Sequence, residues 1–282
     1  MNIVEKYIQY IARNHAPGSG AAQSYVAAIK KLEILLHNTK LLPKTQSLWN
    51  IHNLNDLTRL YEFVKAEQNK NDGGIFRNDK AQGYWRRRFY SAAVKEYSQF
   101  ISLYNRENTM FDIIAAASDG LQLSQELEAV SLAPNPLLIA EELDINSQEG
   151  KNVLREIEVR QNQYVFRKMI LSIYCSRCCL TDLPIPETLR ASHISGWAKD
   201  KNNRMNPENG LCLSATYDAA FDRHLISFDE QYRMILAPSL HEYCTNNAFQ
   251  EQFKRFEGSM ISMPKRFMPS QVLLAKHREQ LH

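Results

Sequence analysis

The sequence predicts a mainly α fold, and three observations carry that reading. Apolar residues recur at three- and four-residue steps in successive windows, as one buried face of a helix requires. Loop and breaker signals, such as NKNDGG at 69–74 and the prolines of LAPNPLL, fall between those windows. The composition is 44% hydrophobic and 23% charged, with 10 Gly and 10 Pro, which excludes collagen-like, coiled-coil and wholly disordered chains. A chain of 282 residues spans about two domains and can bury a core without covalent staples.

Taken in order, the first helix to be expected is AAQSYVAAIKKLEILLHN, preceded by Ser19, with Tyr25, Ile29, Leu32 and Leu36 on one stripe. A second runs over Leu54–Gln68, with Leu57, Leu60, Tyr61 and Val64 inward. A third is expected from about Tyr84 to Tyr104, burying Phe89, Ala93, Tyr97, Phe100 and Ile101 and carrying Arg86, Arg87 and Arg88 in its first turn. Guanidinium groups beside aromatics suit phosphate contacts, because the Arg fork matches phosphate oxygens and binding releases counterions. Residues 106–150 read as a connector with short helices, broken at Pro134 and Pro136. A further helix is expected from Gly150 to about Tyr174, and the tail past residue 229 adds a helical AFQEQFKRFEG and a terminal QVLLAKHREQ.

The formal net charge is only +3, but it is unevenly spread. Residues 1–105 carry +7, residues 106–150 carry −8, and residues 151–282 carry +4. The division gives a helical block (1–105), an acidic connector (106–150) and a C-terminal block (151–282). Two basic surfaces could face a polyanion. No run approaches the ~20 apolar residues of a membrane span, and the N-terminus lacks a signal-peptide layout. Five cysteines, an odd number with four of them between Cys175 and Cys212, do not form a secreted disulfide framework, so a cytoplasmic setting is expected.

The first block resembles the helical core-binding domain of phage-type integrases. The features that carry this are the S-G-x-A-x-S-Y-x-x-A-I-K-K-L stretch from Ser19 to Leu32, the Trp49-Asn50-Ile51 segment and the 84–104 helix. That resemblance implies a bundle that grips duplex DNA. The more specific motif lies downstream: C-S-R-C-C-L-T-D from Cys175, L-R-A-S-H ending at His193, then N-P-E-N-G-L-C-L with Asn209, and Y-D-A-A-F-D-R-H with Asp218 and Asp222. His193 and Asn209 are 16 residues apart, Asn209 and Asp218 are 9 apart, and the two aspartates are one helical turn apart. This pattern resembles the HNH endonuclease superfamily in its restriction-type branch. The tail, including His277-Arg278, is similar to the C-terminal extension of such enzymes, where packing is the default role and DNA contact the secondary one.

The resemblance implies a small α+β part, a ββα-metal unit in which two short antiparallel strands and a helix clamp a divalent cation. His193 then stands where the family has its general base, since an imidazole titrating near neutrality can take a proton from water. Asn209 either holds the loop that orients this histidine or ligates the metal. Asp218 and Asp222, at i and i+4, share one helix face and occupy positions where many relatives carry histidine ligands. The residue before the family's base is often a ligand, and here it is Ser192, a weak one. Two carboxylates make a hard, anionic site that favours Mg²⁺ or Mn²⁺. Structural Zn²⁺ is disfavoured: Cys175-x-x-Cys178 offers two thiols, but near Cys212 the matching partner position is Ala215, and a closed site needs four ligands. Arg190, Arg223 and His224 are further candidates for DNA contact. Trp197 is read as packing.

The expected function is therefore a metal-dependent DNA endonuclease in restriction or phage defence, leaving 5′ phosphates and 3′ hydroxyls on double-stranded DNA. A symmetric site cut on both strands would favour a homodimer. The alternative is a catalytically silent DNA-binding or regulatory protein that keeps an HNH-like fold.

Overall fold

A computed structural model describes residues 2–77, 82–130 and 148–282 of the chain. Its elements are mainly α-helices, with two antiparallel sheets of two strands each, as the sequence leads one to expect. The chain divides into two compact units, one formed by 1–107 and 132–156, the other by 108–131 and 157–282. The stretch assigned to the connector is thus shared between them, and its Pro134 and Pro136 lie outside the described residues. No helix among the described residues is long and apolar enough to cross a membrane.

The first unit contains α1 (Ile3–Asn14), α2 (Ala21–Asn38), α3 (Leu54–Gln68), α4 (Gln82–Arg86) and the first part of α5 (Phe89–Ala116). Asn2 and Glu5 close α1 with a reciprocal capping box, and Asn53 caps α3. Ile29, Leu32 and Leu36 of α2, Leu57, Tyr61 and Val64 of α3, and Tyr97, Phe100 and Ile101 of α5 are buried together. Tyr7 meets Tyr97 edge-on at 5.5 Å, while the Tyr97 hydroxyl donates to the Trp49 carbonyl at 2.9 Å.

The third expected helix needs correction. It begins at Phe89, runs on to Ala116, and is preceded by a break at Arg87–Arg88, where Arg88 adopts φ 55°. Breaking a helix frees backbone groups that must find partners. Buried Gln68 supplies two: its amide donates to the Trp85 carbonyl at 3.0 Å and accepts from the Ser91 amide at 3.1 Å. The arginine triplet therefore straddles the break rather than the first turn of a long helix, and all three residues are exposed.

The second unit begins with the rest of α5 and α6 (Gly120–Ala129), capped by Asp119, and continues with the C-terminal part of α7 (Gln148–Ile173). Strands β1 (Leu189–His193) and β2 (Gly210–Ser214) pair antiparallel, with His193 opposite Gly210 and Ser192 opposite Leu211. Helix α8 (Ala215–Asp222) follows β2 directly. A hairpin of β3 (Ile226–Phe228) and β4 (Met234–Leu236) comes next, closed by Asp229, whose carboxylate accepts from the amides of Gln231 and Arg233. Short α9 (Asn247–Gln252) and α10 (Gln271–Arg278) complete the chain. The β1–β2–α8 unit packs on Val165, Phe166, Met169 and Ile170 of α7.

Candidate active site

His193 ends β1, and its ring is fixed on several sides. Phe166 of α7 stacks on it at 3.9 Å and 14°, and the Trp197 ring meets it edge-on at 5.4 Å. The imidazole Nε2 lies 3.0 Å from the carbonyl of Arg204. A carbonyl only accepts, so Nε2 carries the proton and Nδ1 is left with its lone pair. Burial lowers the pKa of His193, opposed by the Arg204 carbonyl and the Asp218 charge. Its neutral, proton-accepting form is therefore favoured.

Gly210 makes this packing possible from across the sheet. A β-carbon there would come within 2.4 Å of the Ile170 side chain and 2.9 Å of the Phe166 ring, so a larger residue would have to push these α7 side chains aside next to His193.

Asn209 is fully buried and spends its side chain on the loop that follows His193. Its Oδ1 accepts from the Ser195 amide at 2.7 Å, and its Nδ2 donates to the carbonyls of Ser195 and Asn203 at 3.0 and 2.9 Å. Of the two roles open from sequence, these bonds match the holding of the loop. Arg204 is held in turn by Nε donation to the Trp197 carbonyl at 2.8 Å, which fixes the acceptor that His193 uses.

Asp218 and Asp222 project from α8, the first half-buried and the second an exposed residue. Buried Ser192 donates from Oγ to Asp218 Oδ1 at 2.5 Å. Ser192 thus braces a carboxylate, which is a different task from binding a cation itself. The pKa of Asp222 is raised by partial desolvation and by Asp218, and lowered by Arg223. The Asp218 charge beside Asp222 creates local negative potential that a cation relieves. Among the described residues no group of three or more His, Cys, Asp or Glu converges to hold a metal ion. A pair of carboxylates still fits a hard cation that keeps part of its water shell.

His193, Ser192, Asp218 and Asp222 line one pocket of about 660 Å³. Arg190 and His224 line it too. Arg190 is exposed and donates to the carbonyls of Glu187 and Leu189. Arg223 bonds back to the Ala219 carbonyl at 3.1 Å and is not among the lining residues. Arg86, Arg87 and Arg88 belong to the other unit. The cysteines are all free thiols, with Cys178, Cys179 and Cys212 buried.

Several lining residues carry no signal in the sequence, Phe166 and Arg167 from α7 and Lys276 and Gln280 from the C-terminal end, while His277, expected in a packing extension, joins them. Arg167 donates to the carbonyls of Leu189 and Pro186, tying α7 to the start of β1. His277 is buried, stacks on Phe221 at 3.8 Å, and has its pKa pushed down to about 4 by burial, His224 and Lys199. Phe166 falls within the helix expected over 150–174 without standing out there, and nothing local to residues 276–280 points at a pocket built around residue 193.

No curated protein matches the chain. Residues 178–229, the span that holds both strands of the first sheet, α8 and β3, match the family model described as HNH endonuclease. This segment is an HNH endonuclease domain, a nuclease domain whose members generally use a divalent metal ion.

Proposed function

We propose that the protein is a metal-dependent endonuclease of double-stranded DNA in which His193 is the general base. The observation that carries this is the meeting, in one pocket, of an imidazole whose Nδ1 has no partner among the described residues and a pair of carboxylates one helical turn apart. Phosphodiester hydrolysis needs an activated water, neutralisation of charge on the phosphorane and stabilisation of the leaving 3′ oxygen. His193 takes the proton of the attacking water at Nδ1, while Nε2–H stays anchored on the Arg204 carbonyl. Asn209 keeps the loop rigid so that Nδ1 keeps its aim. Asp218, steadied by Ser192, and Asp222 would hold Mg²⁺ or Mn²⁺. Such a cation, when bound, supplies charge neutralisation at the phosphate and the leaving oxygen. Phosphate contacts are assigned to Arg190, Arg223 and His224 near the chemistry and to Arg86, Arg87 and Arg88 in the helical unit, which serves to position DNA. The biological setting inferred is restriction or phage defence, with a homodimer cutting both strands of a symmetric site.

A competing reading, a catalytically silent DNA-binding protein, draws on the missing third ligand among the described residues. Sequencing the ends left on methylated and unmethylated genomic DNA, with Mg²⁺ or Mn²⁺ and with EDTA, separates the two. The endonuclease reading requires defined 5′-phosphate ends that vanish with EDTA. DNA bound but never cut under either metal would favour the silent reading.

A further inference from the structure

The family match ends at residue 229, yet the pocket has a wall built from the C-terminal helix α10. His277 is the buried centre of that wall. Its Nε2 lies 3.0 Å from the Phe221 carbonyl and 3.1 Å from His224 Nδ1, and its Nδ1 lies 3.0 Å from Ser227 Oγ. The Phe221 carbonyl can only accept, so His277 Nε2 bears the proton and Nδ1 accepts from the Ser227 hydroxyl. A proton on His224 Nδ1 would then point at the proton on His277 Nε2. His224 must therefore keep Nδ1 bare and carry its proton on Nε2.

His224 Nε2 has no hydrogen-bond partner among the described residues, and its ring lines the same pocket as Asp218 and Asp222. The residue is held just past α8 in a left-handed conformation, φ 55°. We infer that His277 is a positioning residue that fixes the tautomer and orientation of His224, and that His224 thereby offers an Nε2–H donor to a non-bridging oxygen of the substrate phosphate. The C-terminal helix is on this account part of the nuclease site rather than packing alone. The inference rests on the nuclease reading for its substrate, while its geometry does not.

The test uses the full chain and long-range ¹H–¹⁵N NMR of its imidazoles, with inorganic phosphate as the probe. Wild type should show His224 protonated on Nε2, with that signal moving as phosphate is added. His277→Phe keeps a ring against Phe221 but removes the donor, and His224 should lose its single tautomer. His277→Gln restores an N–H donor and should restore the tautomer. In plasmid nicking, His224→Ala and His277→Phe should each lower kcat about ten-fold with KM little changed, the worth of one lost hydrogen bond to a charged group. His277→Gln should recover most of that loss. Should the Phe variant fail to fold, the half-buried His224→Ala carries the kinetic arm. A His224 proton on Nδ1 in wild type, an unchanged tautomer in His277→Phe, or a phosphate-insensitive signal overturns the inference. If wild type cuts no DNA, the nuclease reading fails, while the tautomer and phosphate measurements still decide this one.

Discussion

The two units bury polar side chains to different ends. In the helical unit they repair backbone. Gln68 bridges the break between α4 and α5, and buried Glu67 accepts from the Ile75 amide at 3.0 Å, holding the loop after α3. In the second unit several of them support the pocket: Ser192 bonds Asp218, Asn209 holds the loop behind His193, and Ser227 and His277 bond each other. A buried polar group is costly unless paired, and the Tyr7 hydroxyl of the helical unit is one that finds no partner among the described residues. In the second unit the network ends on His193 Nδ1 and His224 Nε2, which have no hydrogen-bond partner among the described residues and belong to residues that line the pocket. The comparison teaches where to look for function: not at buried polarity itself, but at networks that end on an atom with capacity to spare, such as His193 Nδ1.

The comparison breaks most sharply at His193. Replacing it by alanine should cost roughly 10²–10⁴-fold in nicking rate, the usual worth of a general base, measured on supercoiled plasmid with Mg²⁺. An equivalent loss from a Gln68 substitution, beyond any change in stability, would show that the two networks do not differ in kind. Next comes the brace: Ser192→Ala should lower activity about ten-fold by releasing Asp218, with a higher metal concentration needed for half-maximal rate. Gly210→Ala should destabilise by about 1–3 kcal/mol through overpacking against Ile170 and Phe166. A melt unchanged by this substitution would mean that α7 does not depend on that close approach.

The pH dependence sharpens the same contrast. His193 has its pKa lowered below the ordinary 6.5 by burial, and a base works when deprotonated. Nicking should therefore rise as pH climbs through that lowered pKa and level off below the range of a free histidine. His277, held at about 4 against an ordinary 6.5, binds fewer protons folded than unfolded. Its contribution to stability is complete above about 6.5 and is lost as pH falls towards about 4. Thermal melts across that window check the sign. The smallest expected effect on chemistry is in the helical unit. Changing Arg86, Arg87 and Arg88 to alanine should weaken DNA binding and flatten its salt dependence by up to about 3 in log–log slope, leaving single-turnover cutting intact.

Much of this was legible in the sequence because it is local. Helix α3 falls on Leu54–Gln68 as its apolar period indicates, and β1 ends at His193 where the motif places it. Asp218 and Asp222 share a helix because they are four residues apart in a segment that β2 feeds directly. What stayed hidden depends on long-range partners. The break before Phe89 is set by Gln68, 23 residues from the Ser91 amide it caps. Phe166 stacks on a histidine 27 residues downstream, and His277 reaches Phe221 across 56 residues. The β3–β4 hairpin turns on an Asp229 carboxylate that reads as an ordinary charged residue.

The proposed function places in a single pocket a His193 that activates water for DNA cleavage. The most direct measurement is the nicking rate of supercoiled plasmid by wild type and His193→Ala, side by side with Mg²⁺ and with EDTA. The account predicts cutting by wild type that EDTA abolishes, and a rate for the alanine protein lower by at least about 10². Equal rates for the two proteins would contradict it.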